Sequence, residues 1–378
     1  MTALHLSHVT LVLLAFLTLM SPAVLAQRME QRMLIGTNAM EMGIYACELN
    51  TETGEMSDAK AVGDAPRPGY LALHPTLPLV YAVTSEPLEP NGGVRAFRLA
   101  SRDSKLILLG AHSTGDVGAT HLAVAPEATS LVVVHYSGGS TTRMRLSSTG
   151  SIGSESPLVK HEGSSVNVSR QEQPHAHGVA FDADGRFACV ADLGTDEVIV
   201  YRLAGGRQLK RSSAWKAKPG AGPRHLAFHP NGKWLYCINE LDSTMSVLTF
   251  DGDAGQLSEL QTLSTLPEDF DGENSTAEVI VHPSGKFVYG SNRGHDSTAV
   301  FSVAASTGHL TLVETEPTGG GHPRFIGLDP TGSFLIAANR DSDNLVSFHV
   351  DKKTGALEPT GFETSVPTPV CVVFPSEQ

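Results

Sequence analysis

The apolar positions of this chain fall in short runs rather than at helical spacing, and the runs are arranged in a repeating order. An apolar strand leads into a turn of the type His-Pro-x-Gly. A second apolar strand ends on a polar or charged residue, and a third ends on an aromatic. Residues 225–240 (HLAFHPNGKWLYCINE) and 278–293 (EVIVHPSGKFVYGSNR) carry the pattern most clearly; 177–192 and 325–340 repeat it, and weaker copies begin at Tyr70 and His121. Proline presets φ and glycine accepts positive φ, so these turns join hairpins. His74, His229 and His282 belong to the turns and recur with them, which makes them structural. A period of roughly 45 to 55 residues is that of propeller blades, not of helical solenoids.

Innermost strands are expected near Leu71, Leu122, Val179, Leu226, Val279, Ile326 and Val370, which makes seven. The last has no strands after it, but 33–38 and 43–49 near the N-terminus have strand pattern. The expectation is all-β: a seven-bladed β-propeller of four-stranded antiparallel blades, with the seventh blade closed by N- and C-terminal strands. Such closure removes the open sheet edges of an unclosed ring. One domain would span 27–378.

In a blade the start of the first strand and the end of the second lie on the same face. Two rings of side chains should therefore surround one mouth of the channel. The first reads Arg67, His121, His177, Arg224, Glu278 and Arg324; the second reads Glu86, Tyr136, Asp192, Glu240, Arg293 and Arg340. Bracing of neighbouring blades by salt bridges is the competing role for such residues. Two long connections, 160–177 and 266–276, enter the same face and would wall a pocket; Asn167 and Asn274 stand in glycosylation sequons within them.

Composition sharpens this. The formal net charge of −13 repels nucleic acid and anionic membranes, which sets both aside as partners. A small anionic substrate would bind only where arginines gather, as they do at this mouth, and arginine grips carboxylate or phosphate bidentately. Cys47, Cys189, Cys237 and Cys371 are far apart, lack metal-ligand spacing and sit in apolar runs, so they read as small buried hydrophobes. Neither a metal nor another cofactor is implied. Residues 9–20 are apolar and are followed by Pro22 and by Val24 and Ala26 at the small positions of a cleavage site. A signal peptide over 1–26 is expected, giving an exported, periplasmic or secreted protein; an uncleaved anchor is the alternative.

The run 164–171 (SSVNVSRQ), with Arg170, and then 174–178 (PHAHG), with His175 and His177, resembles the 6-phosphogluconolactonase-type family of seven-bladed propellers. So do 222–225 (GPRH), Asn239 with Glu240, and 291–297 (SNRGHDS), with Arg293 and His295. That family also contains the fungal-type 3-carboxy-cis,cis-muconate cyclases. In the cyclase branch a histidine, two arginines and a glutamate line the site, and the matching motifs place them at His177, Arg224, Glu240 and Arg293. The resemblance implies lactone hydrolysis. Arg224 and Arg293 would clamp the anion and the oxyanion, and Glu240 and His177 would divide water activation and leaving-group protonation. Arg170, His175, His225, Arg324, Arg340 and His295 would contact substrate. A muconate-type cycloisomerase using the same arginines is one alternative; a non-catalytic propeller that binds a ligand or a protein is the other.

Overall fold

A computed structural model describes residues 30–41, 43–84, 93–100, 105–155, 157–203 and 208–376; the segment 1–26 expected to be a signal peptide, and Glu86, lie outside them. Seven antiparallel sheets follow one another in sequence order, six of them four-stranded. Blades 1 to 6 occupy 71–113, 119–160, 176–216, 223–264, 275–317 and 323–365. In blade 2 the outermost position is shared by two short strands, Ile152–Glu155 and Val159–Lys160, which both pair with Ser140–Leu146. The fold is the seven-bladed propeller expected from the repeat.

The seventh blade closes the ring as anticipated. Pro369–Val373 is its inner strand, followed outward by Glu30–Thr37, Ile44–Asn50 and Lys60–Gly63. Leu34 pairs with Val373, Ile35 with Val372 and Gly36 with Cys371. The second strands, such as Trp234–Asn239 and Phe334–Asn339, are buried along their whole length because each blade is covered by a neighbour on both faces. Outer strands alternate exposed and half-buried positions, as in Gln256–Ser264.

The turn histidines hold blades together. His229 Nδ1 accepts from Asn231 N at 3.1 Å within its own turn, and Nε2 lies 2.8 Å from Gly285 O in the next blade. His282 repeats this toward Gly332 O at 3.0 Å. Tyr81, Tyr236 and Tyr289 donate their hydroxyls to Gly150, Gly308 and Gly355 carbonyls of the following blade. The four cysteines are buried and unpaired. No helix among the described residues is long and apolar enough to cross a membrane.

Candidate active site

One irregularity builds the mouth of the channel. In blades 2 to 7 the inner strand slips register against the second strand near its start. The residue left over is Thr120, His177, Arg224, Arg324 or Val370, and in blade 5 Ala277 and Glu278 together face Ser291. A β-bulge of this kind breaks strict alternation and re-aims side chains. Consecutive residues can then face the channel, as Arg224 and His225 do. A cavity of about 170 Å³ opens there. Thr120, His177, Arg224, Arg324 and Val370 all line it, with Tyr70, His225 and Arg67. Thr120 thus takes the ring position that the repeat assigned to His121. His121 lies one residue further along the strand, equivalent to His225, because the weak blade-2 copy is offset by one.

Glu240 follows the second strand of blade 4 and is 4% exposed. Its Oε2 accepts from Arg224 Nε at 2.9 Å and pairs with Arg293 Nη2 at 3.1 Å; its Oε1 accepts from Arg170 Nη2 at 2.5 Å. Burial pushes its pKa up, but Arg293, Arg224 and Arg170 together outweigh burial and bring it to about 2. Arg170 comes from the long connection before blade 3 and also donates to Tyr136 Oη at 3.2 Å. That connection is anchored by buried Gln171, which donates to Leu193 O and Asp196 Oδ1.

The guanidiniums differ in what they are free to do. Arg224 also donates to Ala277 O, and Arg293 to Thr276 O, so both are held from two sides. Arg324 makes no hydrogen bond or ion pair among the described residues and lines the cavity. Burial, and then the charge of Arg293, lower its pKa to about 10, which leaves it cationic at neutral pH. Arg67 stands exposed at the rim with φ 44°, the left-handed region that costs a side chain energy.

The imidazoles are neutral near pH 7. Burial first, and then Arg224, hold His177 and His225 well below the usual histidine range. His177 Nε2 is 3.9 Å from Glu240 Oε2, and its Nδ1 is buried without a partner. Rings of Tyr70, His121, His225 and His177 follow one another at centroid distances of 3.8, 4.9 and 5.1 Å. Glu278, on the inner strand of blade 5, shares a hydrogen bond of 3.0 Å with His225 Nδ1. Burial raises its pKa to about 8 against the opposing pull of Arg224. The ring pattern marked Glu278 in the sequence, but only its distance to His225 ties it to the site.

Four expected substrate contacts do not line the cavity, and neither do Glu240 and Arg293. Arg170 is held by Glu240 and Tyr136. His175 stacks on Tyr136 at 4.3 Å and bonds Tyr136 O through Nδ1, so it sits behind that ring. His295 packs edge-on against Phe270 and pairs with Ser297 Oγ. Arg340 begins a short 3-10 turn and is neutralised by Asp341 at 2.6 Å. Asp192 of the second ring is fully buried and accepts from three backbone amides, those of His175, Gly194 and Thr195, as a loop brace. Among the described residues no group of three His, Cys, Asp or Glu side chains converges in a way that could hold a metal ion.

Comparison with known proteins agrees with this architecture. The family described as "Lactonase, 7-bladed beta-propeller" matches residues 32–374. A 6-phosphogluconolactonase of Bacillus subtilis is 35% identical over 332 residues, 88% of this chain and 94% of that protein. A Lactobacillus plantarum protein of known structure superposes with TM-score 0.85 at 30% identity, covering 92% of this chain and all of its own. The periplasmic gluconolactonase of Pseudomonas aeruginosa superposes with TM-score 0.84 at 26% identity, covering 92% of this chain and 99% of its own. By the extent of these matches and by its seven closed blades, the chain belongs to the lactonase family of seven-bladed β-propellers.

Proposed function

We propose that this protein hydrolyses a small anionic sugar lactone in the mouth of its central channel. The observation that carries the reading is Arg324, a guanidinium without a carboxylate partner, facing a cavity it shares with Arg67, Arg224, His177 and His225. An acidic chain that gathers cations around one cavity concentrates anions there. Arg324 and Arg67 grip the substrate's anionic group, and Arg224 and Arg293 present positive charge to the oxyanion of the tetrahedral intermediate. The neutral imidazoles of His177 and His225 are the groups able to move protons at neutral pH. Glu240 serves as the carboxylate that sets the positions of Arg170, Arg224 and Arg293, because a group held near pH 2 takes no proton from water at neutral pH. The names of the Bacillus subtilis and Pseudomonas aeruginosa proteins, both lactonases of sugar acids, support this reaction class.

A panel of sugar lactones, with and without a phosphate or carboxylate, tests the reading by acid release at constant pH. Hydrolysis with a preference for anionic members is expected. Hydrolysis of none would refute it, and conversion only of an added unsaturated dicarboxylate, without uptake of water, would refute it in favour of a cycloisomerase. Export rests on the apolar run 9–20 and on the periplasmic relative. N-terminal sequencing of the protein from its host should find Gln27 first; retention of 1–26 would mean an anchor.

A further inference from the structure

We propose that His225 and Glu278 form the proton-transfer dyad of this site, with His225 Nε2 acting on the substrate and Glu278 exchanging a proton with His225 Nδ1. The proposal rests on the lactonase reading above and names the group that performs its chemistry. His225 lines the cavity beside Arg224 and Arg324. Its Nδ1 is taken up by Glu278 Oε1 at 3.0 Å, and its Nε2 has no partner among the described residues. The free nitrogen is therefore the one that can meet a ligand.

The ring is held on every side. His121 and His177 pack against it at 4.9 and 5.1 Å, both edge-on, and Tyr70 at 5.9 Å. Gly178 is the remaining wall. A side chain there would put Cβ 2.4 Å from Arg224 O and 3.1 Å from the His225 ring, so only glycine leaves the ring its place. Glu278 is fixed as well: its Oε1 accepts from Val279 N at 3.1 Å, and its own N donates to Ser291 Oγ at 3.0 Å. Its Oε2 is buried with no hydrogen-bond partner, unlike the carboxylate of Glu240, whose oxygens meet three arginines. A buried carboxyl that no cation contacts is suited to gain and lose a proton. His177 lacks an equivalent, since its Nδ1 faces no acceptor.

The chemistry balances within the dyad. In the molecules whose Glu278 is ionised, a fraction that grows as pH rises toward 8, water oxygen bonds to the lactone carbonyl carbon, its proton passes to His225 Nε2, and the Nδ1 proton moves to the Glu278 carboxylate at Oε1. The ring C–O bond then breaks. The departing alkoxide oxygen takes the Nε2 proton, and Glu278 returns its proton to Nδ1. One water is consumed, a hydroxy acid is formed, and the dyad is restored. A histidine that takes and then returns a proton, oriented by a carboxyl on its far nitrogen, is the logic of acyl-transfer sites on many folds.

The test uses the full-length protein, the lactone panel, and the variants H225N, E278Q and the double variant. Each single variant should lower kcat by about 10²- to 10⁴-fold with KM changed only a few-fold. The double variant should lose no more than the worse single one, because the pair acts as a unit. E278D, which keeps the carboxyl, should recover part of the rate, which a merely structural role of Glu278 would not require. Melting temperature is measured on every variant, and rates are expressed per folded molecule. A wild type that hydrolyses lactones beside an H225N or E278Q variant of unreduced kcat would overturn the dyad and leave the lactonase reading standing. Additive losses in the double variant would overturn it too. A wild type inactive on the whole panel would remove the lactonase reading, and the dyad with it.

Discussion

Glu240→Gln separates two roles for the most highly connected carboxylate in the mouth. The substitution keeps size and shape but removes the charge that faces Arg224, Arg293 and Arg170 at 2.9, 3.1 and 2.5 Å. Shifting a carboxyl from 4.5 to about 2 corresponds to about 3 kcal/mol of preference for the ionised form in the folded protein. Stranding buried cations by deleting their partner costs about 3 to 5 kcal/mol, so the two approaches agree. With about 2 cal/mol/K of unfolding entropy per residue and roughly 350 ordered residues, melting should fall by about 4 to 7 °C. The rate per folded molecule should stay within about tenfold of wild type, since Glu240 carries no proton in the reaction. Scanning calorimetry and steady-state kinetics on one preparation measure both. An unchanged melting temperature with kcat down by about 100-fold or more would refute the reasoning and make Glu240 the general base.

Arg324→Ala should raise KM for an anionic lactone by about 10- to 100-fold, the loss of one charge-assisted contact, with a smaller change in kcat and in KM for a neutral lactone; equal effects on both substrates would contradict its role as the anion clamp. The contribution of Glu278 to stability should fall with rising pH between about 4.5 and 8, opposite in sign to that of buried histidines such as His177 and His225, which adds stability as pH rises toward 6.5. There Glu278 is neutral in the folded chain and ionised in the unfolded one, and the slope is about 1.4 kcal/mol per pH unit. Urea unfolding across that range should show the slope in the difference between wild type and E278Q, and a difference independent of pH would contradict it. At the acid end the sign reverses: the contribution of Glu240 is complete above 4.5 and is lost as pH falls through about 2. Deleting residues 369–378 should abolish cooperative unfolding or soluble expression, because Glu30–Thr37 then keeps an unpaired edge beside the channel; a soluble, cooperatively melting product would show that closure is dispensable.

Local chemistry settled the blades. The His-Pro-x-Gly turn, the alternation of its flanking strands and the period between copies depend on a few neighbouring residues, so they were legible without coordinates, as was the pairing of 369–373 with 34–37 once an inner strand lacked partners. The mouth residues His177, Arg224, Glu278 and Arg324 were legible for the same reason, since position within a repeat predicts position in the ring. Their individual roles were not. Arg340 and Arg324 both stand in the rings around the mouth, yet Asp341 pairs with the first at 2.6 Å and no carboxylate among the described residues lies within ion-pair distance of the second. The ring place assigned to His121 belongs to Thr120 because the weak blade-2 copy is offset by one, and the bulge that opens such places is a property of a strand's pairing with its neighbour, not of its own sequence. Likewise, two glutamates, one from each ring, became an anion held near pH 2 and a carboxyl raised to about 8. The difference lies in how many guanidiniums come within hydrogen-bond distance of each one, from its own blade, the next blade and the connection before blade 3, which only the folded ring defines.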